Sequence, residues 1–461
     1  MGGNSGGHFA SNFGISGLSM VDSKLPPVAR EDLKSHVLSA LRQYWSRNSG
    51  VVAELPVRES PFPNVSGPLR LVLVSLPEWA HECGVGGKMA VPLEACGGPN
   101  GAVWQEVDWW LAAFLMLECW HERMWEVEHG PIHSYSMRLS GWDARVWDRA
   151  WVNRIALFFR RWAEKESSIS ENALLGLLPQ PEFVLTHDVD AISKTLSIRL
   201  KQCAFNLFNA ARAVAGGNLR RAKERLAQAA RFLFSREDWW TFDRLIQQEK
   251  KAGIRSHFNF YADCRPKTLA RWLFDPAYDI SSPRLSDFIK KIHREGWVIG
   301  LHPAFDAWQN QSLICAQRSN VERISGSRVN TCRQHWLRFG WGHTWTAQSN
   351  AGIRLDTTLM FNDRPGFRAA VALSWTPWDP VQGRAHHLSV LPTVLMDSHL
   401  YDYQQMTAQE RKEALLTWLG EVHAVGGKIA VVWHPHTLTN DYGWSDGFKD
   451  LIETMERKTA C

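Results

Sequence analysis

A chain of 461 residues has room for two or three hydrophobic cores. Apolar residues make up 45% and charged residues 21%, the balance of a folded globular protein, which excludes a disordered chain. The net charge of +5 is small for this length and no nucleic-acid-binding signature accompanies it, which argues against nucleic acid as a partner.

Residues 1–24 are Gly/Ser-rich at their start and lack the basic opening and apolar run of a secretory signal, so they are expected to form a flexible tail. The eight cysteines are scattered with no pair at metal-finger or redox spacing, and a reduced, cytoplasmic setting is expected. The longest apolar run, residues 111–117, is too short to span a bilayer. Tryptophan is unusually frequent, at 24. Indole faces can stack on sugars, but most of these residues are expected in cores and domain interfaces.

Residues 25–172 read as a smaller α/β accessory domain. Residues 69–75 (LRLVLVS) are a strand candidate, and residues 107–129 carry apolar side chains at helical spacing. The sequence GVGGK at 84–88 lacks the hydroxyl residue and full glycine spacing of a phosphate loop, so a plain turn is expected. Residues 147–164 read as an amphipathic helix whose basic side is solvated. No catalytic cluster is found in this part of the chain.

From residue 179 to 456 the pattern becomes strand followed by helix, which argues for a parallel sheet or barrel. FVLTHDVD at 183–190 is a buried strand running into His187, Asp188 and Asp190. An excursion at 194–236 follows, with ten Lys/Arg and one Glu, broken at Gly216 and Gly217 and read as two basic helices. A solvated helical insertion is the plainer reading, and peripheral contact with an anionic membrane or a lipid-linked substrate is the alternative. Helices at 238–252 and 285–295 each stop at a glycine, Gly253 and Gly296, and lead into strands at 254–261 and 297–301. A helix near 312–324, a short strand into Cys332, Arg333, Gln334 and His335, and strands at 353–357 and 388–394 come next. Thr407 and Glu410 form a capping box for a helix that Gly426 and Gly427 end before the strand 428–433. The count gives roughly seven strands, consistent with a seven-fold (β/α) barrel.

In such barrels reactive groups sit at the C-terminal strand ends. Here those ends carry His187, Asp188 and Asp190, then His302, Arg333 and His335, Asp356, and His434 with His436. A lone histidine after a strand is usually structural, but acids, bases and metal ligands at successive strand ends point to one site. Hydrolysis by water on a divalent ion needs this mixture: His/Asp ligands that leave an open position, a carboxylate to take a proton and an imidazole to return one.

At these residues the sequence resembles the polysaccharide deacetylase superfamily, the NodB-homology carbohydrate esterases, over about residues 180–440. FVLTHDVD matches the first motif, WVIGLHPAFD the second, CRQH the arginine motif and VVWH the last. The phrases LHPAFDAW, CRQHWLRF, LDTTLMFNDRPGFRAA and VVWHPHT are similar to a bacterial subgroup associated with surface polysaccharides, whose members carry an α/β domain before the barrel. The resemblance implies a distorted seven-stranded (β/α) barrel and a divalent metal, expected to be zinc, held by Asp190, His302 and a third ligand. It implies Asp188 as catalytic base, Arg333 orienting it through a bidentate contact, and His434 as acid. The substrate it implies is an N-acetylated sugar, free, nucleotide-linked or lipid-linked. His187 is expected to fix a carboxylate behind the site. Asp356 and Arg368 are expected substrate contacts, with a structural salt bridge as the alternative for each. The family's second motif usually supplies two His four residues apart, and here the second position is Asp306. Either Asp306 or His335 completes the metal site, and His335 is favoured. An inactive carbohydrate-binding relative, or a hydrolase of a non-sugar C–N bond, are the competing functions.

Overall fold

The computed structural model describes residues 25–96, 103–404 and 406–459, so the expected tail at 1–24 and Cys461 lie outside the described residues. In the N-terminal part, β1 (Leu71–Ser75) and β2 (Lys88–Pro92) form an antiparallel hairpin. Its turn holds Gly86 and Gly87 at φ 56° and 72°. Two positive-φ residues in a row are what a tight hairpin turn requires, so the glycines at 84–88 serve the backbone.

The segment 107–129 divides into α1 (Trp109–Leu117) and α2 (Trp120–His129), because Cys119 takes a left-handed conformation between them. The Asp108 carboxylate caps α1 by accepting the Leu111 N–H at 3.0 Å. Every residue of α1 is buried, which accounts for a sequence that is apolar all round. α3 (Trp151–Ser167) corrects one expectation, since part of its basic side is not solvated. Arg154 donates to both oxygens of Glu421, at 2.8 and 2.7 Å, and the fully buried Arg160 donates to Glu171 and to the carbonyls of Tyr44 and Gly176. The apolar core of this part also takes in Phe339, Trp341, Trp345, Phe361, Leu373 and Trp375, so the stretches that follow the fourth and the fifth barrel strands are packed on it.

Eight parallel strand segments build the rest: β3 (Glu182–Val189), β4 (His257–Phe260), β5 (Val298–Leu301), β6 (Thr331–Cys332), β7 (Leu355–Asp356), β8 (Ser389–Val390), β9 (Thr393–Met396) and β10 (Lys428–Val432). Hydrogen bonding runs β8-β7-β6-β5-β4-β3-β10-β9. The two ends of that order, β8 and β9, are separated only by Leu391 and Pro392. One continuous stretch therefore pairs first with β7 and then with β10, and it closes the sheet into a barrel of seven staves. The switch of neighbour falls at Pro392, which has no N–H to give to a ladder. A register shift between Thr393 and Leu395 marks the same distortion.

Helices Phe242–Lys251, Pro283–Arg294, Gln311–Ser325 and Ala408–Ala424 lie between the staves. Both halves of the Thr407/Glu410 capping box are formed. The excursion after β3 is a helical hairpin, α4 (Leu196–Ala215) and α5 (Leu219–Phe234), turning at Gly217 with φ 74°. Among the described residues no helix is long and apolar enough to cross a membrane.

Candidate metal centre and active site

Strand alternation decides which side chains of β3 reach the barrel interior. Thr186 and Asp188 point inward, where both meet Arg333. His187 points outward, with Nδ1 2.6 Å from the Trp433 carbonyl and Nε2 2.6 Å from Glu249 Oε1. His187 does fix a carboxylate, but one on the helix Phe242–Lys251 rather than one of the site.

Arg333 follows β6 directly and is fully buried. A buried guanidinium is tolerable only when its donors are satisfied, and here they are. Nε donates to the Thr357 carbonyl at 3.0 Å, Nη2 to Thr393 Oγ1 at 3.0 Å, and Nη1 to Thr186 Oγ1 at 2.6 Å and Asp188 Oδ1 at 3.2 Å. The expected bidentate clamp on Asp188 is thus a single N–H contact, because the two threonines take the remaining geometry. Asn259 Nδ2 adds a second donor to Asp188 Oδ1 at 2.8 Å. A side chain at position 300 would collide with that arrangement: a Cβ there would lie 2.2 Å from Asn259 Oδ1. Burial works against charge on Asp188, but Arg333, then His302 and His434, outweigh it and hold the carboxyl below its ordinary value.

Asp190, two residues on, lies at the barrel mouth. Its Oδ1 is 3.3 Å from His302 Nε2 and 3.6 Å from His335 Nε2. One ligand atom from each of these three residues lies within 4.8 Å of the others. His302 Nδ1–H donates to the Arg333 carbonyl at 2.7 Å, which fixes the tautomer and leaves Nε2 as the free lone pair. His335 Nδ1 is 3.8 Å from Asp275 Oδ1 on its far side. Asp190 Oδ1 is shielded from solvent yet accepts no hydrogen bond from any described residue. A shielded anionic oxygen facing two imidazole nitrogens, with no donor of its own, is the arrangement a divalent cation completes. The donor set of two nitrogens and one oxygen fits zinc and other borderline divalent ions.

His434 stands after β10, its Nε2 3.5 Å from Asp190 Oδ2. Its Nδ1–H donates to Asp397 Oδ1 at 2.8 Å, and Asp397 Oδ2 accepts the His434 backbone N–H at 2.9 Å and the Thr437 hydroxyl at 3.0 Å. Burial disfavours the imidazolium, but the Asp397 carboxylate more than offsets it and raises the His434 pKa to about 10. Asp397 directly follows β9 and Asn259 lies inside β4. Both were missed in the sequence reading, although an acid at a strand end and an amide inside an apolar strand are visible signals. His436 stacks on Trp239 at 5.8 Å, and burial lowers its pKa to about 4, so it is a neutral packing residue.

Three other candidates lie elsewhere. Asp306 is exposed and both its oxygens are held by Arg265, at 3.0 and 2.7 Å. Asp356 is fully buried and accepts hydrogen bonds from Trp345, Gln348 and Thr358. Arg368 is buried against Glu122, at 3.1 and 2.8 Å, and against Ser134 and the Met360 carbonyl. Neither Asp356 nor Arg368 has a polar atom left to meet a substrate, so both are structural anchors. A cavity of about 450 Å³, lined by Arg265, Thr268, Arg271, Asp275, Phe305 and Asp306, opens beside the acid that backs His335.

No family model matches the chain, and no curated protein does. Solved structures do. Polysaccharide deacetylases, an acetyl xylan esterase and mutants of a family 4 pseudoenzyme are among them. One, from Mycobacterium smegmatis and assigned as a polysaccharide deacetylase, is 17% identical with a TM-score of 0.35, over 62% of this chain and 88% of that one. The chitin deacetylase of Colletotrichum lindemuthianum is 14% identical with a TM-score of 0.30, over 61% and 84%. A family 4 acetyl xylan esterase from Clostridium thermocellum, in complex with cobalt, is 9% identical with a TM-score of 0.29, over 60% and 84%. At these values the chemistry of the site is read from its own residues.

Proposed function

We propose that the chain is a metal-dependent hydrolase of the polysaccharide deacetylase type, which removes the acetyl group from an N-acetylated sugar in surface-polysaccharide or glycoconjugate synthesis. The observation that carries this reading is the convergence around Asp190, His302 and His335 of a carboxylate kept ionised and an imidazole kept protonated, each locked by its own partner. Residues 179–456 form the catalytic unit in this reading and residues 25–172 an accessory unit, joined to it through Arg154 with Glu421 and Glu122 with Arg368.

Asp190, His302 and His335 would hold the metal, with zinc the preferred ion. When bound there, a divalent ion supplies Lewis acidity toward the acyl oxygen and toward water. Asp188 accepts the proton of the attacking water, and Arg333 and Asn259 keep its carboxylate aimed and ionised. His434 delivers a proton to the departing sugar nitrogen, held charged and oriented by Asp397. A base and an acid fixed in opposite protonation states before the substrate arrives are what amide hydrolysis near neutral pH needs.

The test is acetate release from free, nucleotide-linked and lipid-linked N-acetyl sugars. Activity on at least one is expected, abolished by a chelator and restored by added zinc, and release that ignores the chelator refutes the reading. Metal content separates the two candidates for the third ligand. His335→Ala should lose metal affinity by about tenfold or more, since a ligand is worth at least as much as its outer-shell support, whereas Asp306→Asn should bind metal like the parent. Elemental analysis after dialysis decides between them.

Asp397 gives a pH signature. Its negative charge raises the His434 pKa, so Asp397→Asn lowers it, and the acid form is lost at lower pH. The alkaline limb of kcat/KM should move down, with turnover reduced about 10- to 100-fold. A variant whose alkaline limb stays in place removes Asp397 from this role.

A further inference from the structure

The helical hairpin between β3 and β4 has no part in the chemistry just described, and its surface is unusual. Residues 194–236 hold ten Lys/Arg against one Glu, a net +9, while the whole chain totals only +5, so the remainder stands at −4. Lys194 and Arg225 pair with Asp441 and Asp402 outside the excursion, which leaves it a net +7. Arg199, Lys201 and Arg231 direct donors to backbone carbonyls, which carry no net charge and leave theirs uncompensated.

The same hairpin exposes large apolar side chains. Leu196, Leu200, Leu207 and Val214 on α4 are spaced by four and seven residues and share one helix face, with Phe208 beside it. On α5, Leu219 and Leu226 are one heptad apart, with Phe234 a further eight residues on, again on one face. Leu219 is 70% exposed and Phe234 74% exposed, which a merely solvated insertion does not explain.

The apolar surface continues toward the site. Lys201 on α4 donates to the carbonyls of Trp272 and Leu273, in a short helix whose Leu269, Trp272, Leu273 and Phe274 are also exposed. The Phe274 carbonyl accepts the Trp336 indole N–H at 3.1 Å, and Trp336, itself exposed, is the residue after His335. Basic and apolar surface thus runs from the hairpin to the rim of the metal centre.

We infer that this face docks on an anionic lipid bilayer. The site then works on an N-acetyl sugar carried by a membrane-anchored lipid, a consequence that rests on the deacetylase reading above. Apolar side chains flanked by Lys and Arg on a helix lying flat are what a bilayer interface takes up, and no membrane-spanning segment is needed. A protein partner would have to supply a matching acidic and apolar groove, whereas an anionic bilayer offers both properties over any length.

Vesicle co-sedimentation of the full chain tests the docking without reference to activity. Binding is expected to phosphatidylcholine vesicles that contain phosphatidylglycerol, weakened by salt, and not to phosphatidylcholine alone. Phe208→Ser with Leu219→Ser, and separately Arg212→Glu with Lys223→Glu, should each lower binding about tenfold or more. These side chains are exposed, so thermal melts and acetate release from a soluble N-acetyl sugar should stay as in the parent. Equal binding to both vesicle types, no binding, or variants that bind like the parent overturns the proposal. So does a dimer that the same substitutions dissolve without any vesicle binding, which assigns the face to self-association. A chain that binds anionic vesicles yet releases no acetate leaves the docking standing and refutes only the deacetylase reading.

Discussion

Asp188→Asn is expected to lower turnover about 10²- to 10⁴-fold, the usual worth of a positioned general base, while metal content stays at the parent level. The amide matches the carboxylate in shape, and its oxygen can still accept from Asn259 and from Arg333, so the barrel floor is kept. What it cannot do is take a proton. Metal retention follows because Asp190, His302 and His335 are untouched and no ligand rests on Asp188 for its orientation. The acid behaviour of the parent should change as well. A carboxyl whose folded pKa lies below its ordinary 3.8 contributes stability that is present above that pH and lost as pH falls through the folded value. The amide has no such contribution to lose, so the variant's stability should depend less on pH below about 4. Acetate-release kinetics with elemental analysis of the same sample decide the matter, and parental turnover in the variant places the base elsewhere.

The strand ends were legible in the sequence because the barrel writes them twice, once as short apolar runs and once as the glycines that end the preceding helices. Gly253 and Gly296 have φ of 68° and 95°, in the left-handed region that a helix stop demands. Residues 388–394 read as one stave, and the structure shows why hydrogen-bond patterns split it at Pro392. Which polar groups meet across the barrel was not legible. Arg333 is joined to Thr186, Asp188 and Thr393 by bonds that span 147, 145 and 60 positions. No local pattern reports such contacts. Asp356 and Arg368 were open to two readings, substrate contact or structural salt bridge. Both are buried against protein partners, Asp356 against Trp345, Gln348 and Thr358 and Arg368 against Glu122 of the N-terminal part that covers the stretch after β7. A motif read along one strand cannot see a second layer of chain laid over it. The basic side of α3 misled for the same reason: Arg154 faces Glu421, which lies 267 positions away.

Arg333→Leu should destabilise the fold by about 3–5 kcal/mol, the cost of removing one partner from a buried ion pair. Leu fills much of the volume but satisfies nothing. Asp188 is left as a buried carboxylate with Asn259 its remaining side-chain donor, and the Thr357 carbonyl keeps only the Thr393 hydroxyl. Because the penalty is mostly the stranded charge, removing that charge should recover part of it. Arg333→Leu combined with Asp188→Leu is expected to be less destabilised than the sum of the two single changes, a coupling that urea denaturation of all four proteins measures. Arg333→Lys should not rescue either stability or turnover. A single ammonium cannot reach Thr357, Thr186, Asp188 and Thr393 at once, whereas the planar guanidinium serves all four from one fixed position. If Arg333→Leu instead unfolds at the parent's urea midpoint, the guanidinium is not the hub of the barrel interior. Asp188 must then owe its charge to the imidazoles of His302 and His434 alone.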